Sequence, residues 1–595
     1  MKSIKSYLKG VRFSLGYSFL FARNETIFLG IINIVIGALP YATAFLLGKL
    51  VDTIVSGASN SSFFGLWAVL LLYATVSSLP SFTGNIYRFT NRKRLSKLQV
   101  GMELEIVKIR ERIDISKYED PKFLDLIQRT FRQGPNPIYQ LSGSQFDIAQ
   151  SVTSLIVGTI LAIHFDFLIF VIVIATAIPA FIVDIKFAGL SWSIWSKDSV
   201  GQRRIGDLRQ HIFMRHTLIE TKLFQSSNKI FNWMEKILTD FSHSQMNVER
   251  KIVWYTTITD ILSLAGFVIG LVLVVKGNVS GITKVGSVVY IISTLTNVRK
   301  SIANFLKDIS SQFENNLIVQ DMIEVYNTKP VIIEKSNPVK INLSHAPEIV
   351  FENVGFKYQG SDKWSLKNVN LTFKAGDNIG LVGNNGAGKT TLVKLLCRIY
   401  DPVEGKILIN GVDLKDISTK EWWSYLAVMF QDYASYDFLV KDAIAIGRPD
   451  KATNLTKVID ASKVAQSHDF VMDWKDKYDE QLGVDFGGKE PSKGQKQKLS
   501  IAKILYRDGL VMILDEPTAS VDAESEAKIF DSIENLPKDR TAILISHDFS
   551  TISQCDRIFV LEDGKLKEEG SHKVLMAIRG TYSELYNLQA KRFKK

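Results

Sequence analysis

The spacing of apolar residues changes character part-way along this 595-residue chain. Over roughly the first 300 positions apolar residues gather into long runs, and about 20 in a row is what a helix needs to cross the hydrocarbon core of a bilayer. Six runs are read as membrane spans: residues 27–47, 64–84, 148–163, 167–183, 256–275 and 285–298, the last being the shortest. Beyond them, short β-branched runs alternate with segments of helical periodicity, the pattern of an α/β domain on a largely parallel sheet. The change falls in a polar stretch punctuated by Lys329-Pro330, Asn337-Pro338 and Ala346-Pro347. The chain therefore divides into a membrane α-helical domain with cytoplasmic helical extensions over residues 1–326, a linker over 327–347 and an α/β domain over 348–595.

Between Lys2 and Arg23, Ile4, Tyr7, Leu8, Val11 and Leu15 recur at helical spacing opposite basic residues. This predicts an amphipathic helix, laid along the inner leaflet or simply solvated, rather than a cleavable signal peptide. The connections after the second and fourth spans, about 60 and 70 residues long, exceed any turn. They keep helical periodicity and mixed charge, as in Lys93-Arg94-Leu95-Ser96-Lys97-Leu98, so the helices are expected to continue into the cytoplasm.

Charge refines this picture. The net charge of +11 is compatible at first with nucleic acid or an anionic membrane. Split at residue 339, the first part carries 36 basic and 24 acidic residues, and the remainder 36 and 37. The surplus belongs to the membrane half, which leaves nucleic-acid binding unsupported. Within that half, basic residues precede the first span (Lys2, Lys5, Lys9, Arg12, Arg23) and follow the second (Arg88, Arg92, Lys93, Arg94, Lys97). They recur between the fourth and fifth (Arg203, Arg204, Arg209, Arg215) and after the sixth (Arg299, Lys300). The positive-inside rule then places both termini and the α/β domain in the cytoplasm, although Lys49, Lys276 and Lys284 run against it. Asp260 and Asp184 are the ionisable candidates for a cavity wall, with a place at the membrane interface the alternative for each and the favoured one for Asp184. The two cysteines, Cys397 and Cys555, exclude a disulfide framework and an N-terminal cysteine-protease domain, and read as core residues.

The candidate chemistry lies in the second half. Gly383-Asn384-Asn385-Gly386-Ala387-Gly388-Lys389-Thr390 is a complete G-x-x-x-x-G-K-[ST] phosphate loop, placed between an apolar strand (379–382) and a helix opening at Thr391. Its glycines let backbone N–H groups curl around phosphate oxygens, Lys389 reaches the β and γ phosphates, and the Thr390 hydroxyl ligates magnesium. Leu510-Val511-Met512-Ile513-Leu514-Asp515-Glu516 is a buried strand ending in two carboxylates. Asp515 would stand beside the magnesium ion and Glu516 would polarise the attacking water. The second half thus reads as a P-loop NTPase using ATP and Mg2+.

With these motifs in place the chain resembles the ATP-binding cassette (ABC) transporters, the exporter-type half-transporters with a six-helix membrane domain fused to one ATPase domain. The resemblance implies further roles. Tyr358 matches the aromatic that stacks on adenine, and Gln431 the residue that senses magnesium and faces the membrane domain. Asp515 and Glu516 match the second nucleotide motif and catalytic base. Ala519-Ser520-Val521-Asp522 matches the loop that communicates between two ATP sites, and His547 the switch histidine at the γ-phosphate. Lys117-Tyr118-Glu119-Asp120-Pro121-Lys122-Phe123-Leu124-Asp125 and Glu220-Thr221-Lys222-Leu223-Phe224 are similar to the segments at the two coupling helices. The expected ATP site comprises Tyr358, Gly383, Asn384, Asn385, Gly386, Ala387, Gly388, Lys389, Thr390, Thr391 and Gln431. Lys389, Glu516 and His547 are its catalytic residues, and Thr390, Gln431 and Asp515 its magnesium shell.

The family signature, usually Leu-Ser-Gly-Gly-Gln, reads Pro491-Ser492-Lys493-Gly494-Gln495 here. In the family this segment closes over ATP held by the partner, so Ser492, Lys493, Gly494 and Gln495 are expected to face the partner's nucleotide. Lys493 adds a Cβ and a cation where backbone approaches closely or where φ is positive. Two readings follow: Lys493 lies harmlessly along the surface, or the signature is weakened and the chain pairs with a different subunit to give two unequal sites. The resemblance implies ATP-driven efflux of an amphipathic small molecule, lipid or peptide, by a homo- or heterodimer among membrane lipids in a bacterial plasma membrane. An importer on the same scaffold and an ATP-dependent membrane sensor are the alternatives.

Overall fold

The computed structural model describes residues 2–57, 63–132, 134–165, 199–279, 284–518, 520–534 and 537–593, with isolated positions between 171 and 186. The chain forms two compact units, Met1–Ile113 with Lys122–Lys329, and Asp114–Pro121 with Pro330–Lys595.

Long helices build the first unit: Lys2–Gly57, Phe63–Arg112, Asn136–Phe165, Ser227–Val279 and Val285–Tyr326. Among the described residues, four stretches are long and apolar enough to cross a membrane: Lys5–Ser56, Gly65–Arg112, Asn136–His164 and Ser227–Leu273. The expected fourth span, 167–183, and Asp184 lie largely outside the described residues. The expected sixth opens the 42-residue helix Val285–Tyr326. Helices of 50 residues run about 75 Å, far beyond a bilayer core of about 30 Å, so they extend well past the span.

The first helix is kinked at Ala22, where φ is −142° and ψ 49°. Before the kink, the small residues Gly10, Ser14 and Ser18 form its buried face. Tyr7 donates to Gln312 at 2.7 Å, and Gln320 donates to the Ser6 carbonyl at 2.9 Å. Leu8, Phe19 and Leu20 stay exposed on the outer face.

The second unit contains two sheets. Strands β1 (Ile349–Phe356), β2 (Leu366–Phe373), β3 (Asn378–Val382), β4 (Glu404–Ile409), β5 (Val412–Asp413) and β6 (Leu426–Met429) come first. They are followed by β7 (Val511–Asp515), β8 (Thr541–Ile545), β9 (Arg557–Glu562) and β10 (Lys565–Gly570). One sheet has the order β2-β1-β4-β5 and is antiparallel; the other runs β10-β9-β3-β8-β7-β6. In the second, β9, β3, β8, β7 and β6 are mutually parallel, and only β10 is antiparallel to its neighbour. Parallel strands buried on both faces are largely apolar: β7 and β8 are buried at every position, and only Asp515 at the end of β7 and Thr541 at the start of β8 are polar.

Residues 330–347, expected as linker, form a strap on this unit. Glu334 accepts the Thr419 N–H at 2.7 Å, Glu421 accepts the Ile341 N–H at 2.8 Å, and Tyr425 donates to the Ile341 carbonyl at 2.7 Å. The prolines end the helical pattern without freeing the backbone, whose donors still require partners.

The segment Asp114–Pro121, with its short helix Ile115–Tyr118, also belongs to this unit. Asp114 accepts the N–H groups of Val331 and Ile332. Glu119 accepts the Tyr400 hydroxyl at 2.5 Å, with the Lys394 ammonium 3.8 Å away. The second expected coupling segment, 220–224, ends the helix Arg215–Leu223 of the first unit, with Leu223 and Phe224 exposed.

Candidate active site

In an open parallel sheet, ligands gather beyond the carboxyl ends of the strands. The order β3-β8-β7-β6 places four such ends side by side, and the candidate residues follow directly from them. Lys389 and Thr390 come after β3, Gln431 after β6, Asp515 and Glu516 at the end of β7, and His547 after β8.

The loop after β3 requires glycine at two points in particular. Gly383 has φ 154° and a Cβ there would strike the Leu561 carbonyl. Gly388 has φ 102° and its Cβ would lie 2.6 Å from Leu366 Cδ2 and 2.8 Å from the Ser365 carbonyl. Gly386 also has positive φ, Asn384 and Asn385 are exposed, and Ala387 is buried. The loop curls around Lys389, whose ammonium donates to the carbonyls of Gly383 at 2.7 Å and Asn384 at 3.2 Å. Burial lowers the pKa of Lys389, opposed by the nearby charges of Asp515 and Glu516.

Thr390 donates to Asp515 at 3.1 Å, so the hydroxyl and carboxylate share one spot at the mouth of the loop. Burial raises the pKa of Asp515, and the Thr390 hydrogen bond pulls it back. The Glu516 carboxylate accepts from Gln431 Nε2 at 3.1 Å on one oxygen and lies 3.0 Å from His547 Nε2 on the other. Glu516 itself adopts φ 52°, and its N–H donates to the Ile545 carbonyl at 2.9 Å. Tyr358 shares a hydrogen bond of 3.1 Å with Thr391, on the helix Lys389–Leu396. Its ring meets those of Phe356 and Tyr400 edge-on, and the Lys394 ammonium lies 5.5 Å from its centre.

Ser492 caps the helix Lys493–Arg507: its hydroxyl accepts the Gln495 N–H while Gln495 Oε1 accepts the Ser492 N–H. This reciprocal cap accounts for Ser492 and Gln495 in local terms. Lys493 is the exposed first residue of the helix. It is absent from the residues of positive φ, so the strain expected there does not arise. Within this chain a close approach falls on Gly494, where a Cβ would lie 2.6 Å from the Ser520 carbonyl.

Sequence reasoning passed over Gln497 and Lys498, which join this helix to the loop after β7. Gln497 donates to the Glu516 carbonyl at 3.2 Å and accepts the Ser520 N–H at 2.9 Å. Lys498 donates to Asp522 at 3.0 Å and Ser525 at 2.6 Å; the Ser525 N–H, followed by Lys498, holds the Asp522 pKa well below the usual carboxylate range. A lysine-rich run gives no signal that one of its glutamines is buried.

The family model for the ABC transporters matches residues 366–519. The subtilin transport ATP-binding protein SpaT of Bacillus subtilis is 25% identical over 577 residues, 96% of this chain and 92% of that protein. A Staphylococcus aureus protein named for multidrug export is 38% identical over 241 residues, 40% of this chain and 41% of its own length. A solved bacterial Atm1-family ABC exporter with ATP bound has the same fold, with TM-score 0.83 at 22% identity over 96% of this chain and 99% of that one. An α/β unit that carries the phosphate loop thus follows a unit of long apolar helices: the chain is a multi-pass membrane protein whose second unit carries an ABC transporter nucleotide-binding domain, and over almost its whole length it is similar to ABC exporters.

Proposed function

We propose that the chain is one half of an ATP-driven exporter that works as a dimer, with itself or a paralogue, in a bacterial plasma membrane with both termini inside. The observation that carries this reading is the placement of the Glu516 carboxylate between Gln431 and His547, next to the Thr390–Asp515 pair. A water at Glu516 would be oriented toward a γ-phosphate held over the loop. Lys389 would exchange its two loop carbonyls for phosphate oxygens, and His547 would donate to the charge that develops there. The signature residues Ser492 to Gln495 would cover the partner's nucleotide.

The hydroxyl of Thr390 and the carboxylate of Asp515 form a hard-oxygen pair that suits magnesium, and Gln431 is bonded to Glu516, the next residue along. Held there, the ion would neutralise charge that develops on the phosphates during transfer. The cargo class follows from likeness alone: one relative is named for subtilin transport and another for multidrug export, so an amphipathic peptide or small molecule is proposed.

Glu516→Gln keeps the size and hydrogen-bonding reach of the side chain and removes the base. We expect nucleotide binding to persist and steady-state hydrolysis to fall by at least about 100-fold. Turnover near the wild-type rate would refute the assignment. In inverted vesicles supplied with ATP outside, export predicts cargo accumulating inside. Depletion of preloaded cargo would indicate an importer, and hydrolysis without flux of drug, lipid or peptide panels a sensor.

A further inference from the structure

Glu516 sits in an awkward place for a residue required to hold a carboxylate steady. Its φ of 52° is disfavoured for any side chain with a Cβ, so the peptide has to be held from outside. One hold is the bond from its N–H to the Ile545 carbonyl on β8. The other is Gln497, which is 3% exposed and uses both ends of its amide. Nε2 donates to the Glu516 carbonyl and Oε1 accepts the Ser520 N–H, so one side chain spans the loop that leaves β7.

Gln497 belongs to the first turns of the helix Lys493–Arg507, directly after the capped segment Ser492–Gln495. Lys498 adds a second tie, to Asp522 and Ser525. A shift of this helix end would therefore pull on the peptide of the chain's own Glu516. We propose that Gln497 is a positioning residue for Glu516, through which engagement of the signature segment with the partner's nucleotide is transmitted to the base of this chain's own ATP site. This rests on the function proposed above.

The test uses full-length protein in lipid and two substitutions of similar size. Gln497→Met removes both hydrogen bonds. Gln497→Glu keeps the acceptor for the Ser520 N–H but loses the donor to the Glu516 carbonyl. Both are expected to lower kcat by about tenfold or more with KM for ATP within about twofold, because binding groups are untouched while the base is misplaced. Each is then combined with Glu516→Gln. If Gln497 acts through Glu516, the residual single-turnover rate of Glu516→Gln changes by less than about twofold on adding Gln497→Met.

A loss of equal size in both backgrounds would show a general packing role and overturn the proposal. So would Gln497→Glu at the wild-type kcat. If Glu516→Gln itself keeps wild-type turnover, the reading of Glu516 fails and this inference with it. If Glu516→Gln is inactive while both Gln497 variants hydrolyse at the wild-type rate, this inference alone fails.

Discussion

Replacing Gly494 by alanine tests which residue of the altered signature carries the steric constraint. By propensity alone the change is favourable, since alanine is worth about 1 kcal/mol over glycine inside a helix. Geometry opposes it. The new Cβ would lie 2.6 Å from the Ser520 carbonyl oxygen, whereas ordinary contact begins at 3.4 Å. Helix and loop must separate by about 0.8 Å, and overpacking of this kind costs about 1–3 kcal/mol. The net stability change is therefore small, about 0–2 kcal/mol. Its functional effect is expected to be larger, because Ser520 is bonded to Gln497, which also holds the Glu516 carbonyl. Displacements near 1 Å at a reacting group cost about 100-fold in rate. Lys493→Gly is the control one position earlier. Its side chain is exposed and its backbone is ordinary helix, so the change removes about 1 kcal/mol of helix propensity at most and the rate stays level or rises. Phosphate release and thermal unfolding of both variants in lipid decide the matter. Gly494→Ala at the wild-type kcat would refute the steric reasoning, and a large fall for Lys493→Gly would show that the lysine is required.

Four further outcomes follow from local geometry and burial. Tyr400→Phe removes the hydroxyl donated to Glu119; the carboxylate is partly exposed and can rehydrate, so the loss is about 1 kcal/mol. Amide exchange over 114–121 should accelerate about fivefold with basal hydrolysis within about twofold, and unchanged exchange would show that the bond does not hold the segment. Gly388→Ala meets a carbonyl that cannot yield and a φ of 102°, so nucleotide affinity should fall by at least about tenfold; binding of a fluorescent ATP analogue checks it. Burial pushes both Cys397 and Cys555 up to about 12, so at pH 8 their thiolate fraction is about 0.0001 against roughly a quarter for a free thiol. A thiol reagent should label neither in the folded protein and both in denaturant. Stability should decline as pH rises past about 8.5, where the unfolded chain releases these protons and the folded chain retains them.

What could be read from the sequence was what lies close together along it. The phosphate loop and the acids ending β7 are contiguous motifs whose chemistry is carried by residue type and spacing. Gln431 and His547 were singled out only by resemblance, because their meeting at Glu516 depends on the strand order β3-β8-β7-β6, which no local pattern encodes. Residues 114–121 continue the membrane half in sequence and overlap the segment that resembles a coupling helix; their particular partners, Val331 and Ile332 for Asp114 and Tyr400 for Glu119, lie more than 200 positions away and have no local signal. The sixth apolar run is short because Asn297, Arg299 and Lys300 end it, yet the helix it opens continues to Tyr326 with Gln312 and Asn316 buried against the segment before Ala22.

The altered signature shows how the two kinds of information combine. Sequence marked Lys493 as the departure, because residue type is all that sequence displays. The fold assigns the steric demand to Gly494 and the mechanical connection to Gln497, neither of which departs in any visible way. If that connection operates, a change in the signature of one subunit acts on both ATP sites: on the partner's by altered closure, and on its own through the peptide of Glu516. A dimer with Gly494→Ala in one subunit alone should then slow hydrolysis at both sites, whereas Lys493→Gly in one subunit should slow neither. Loss confined to a single site would mean that the signature helix moves without carrying Glu516 with it.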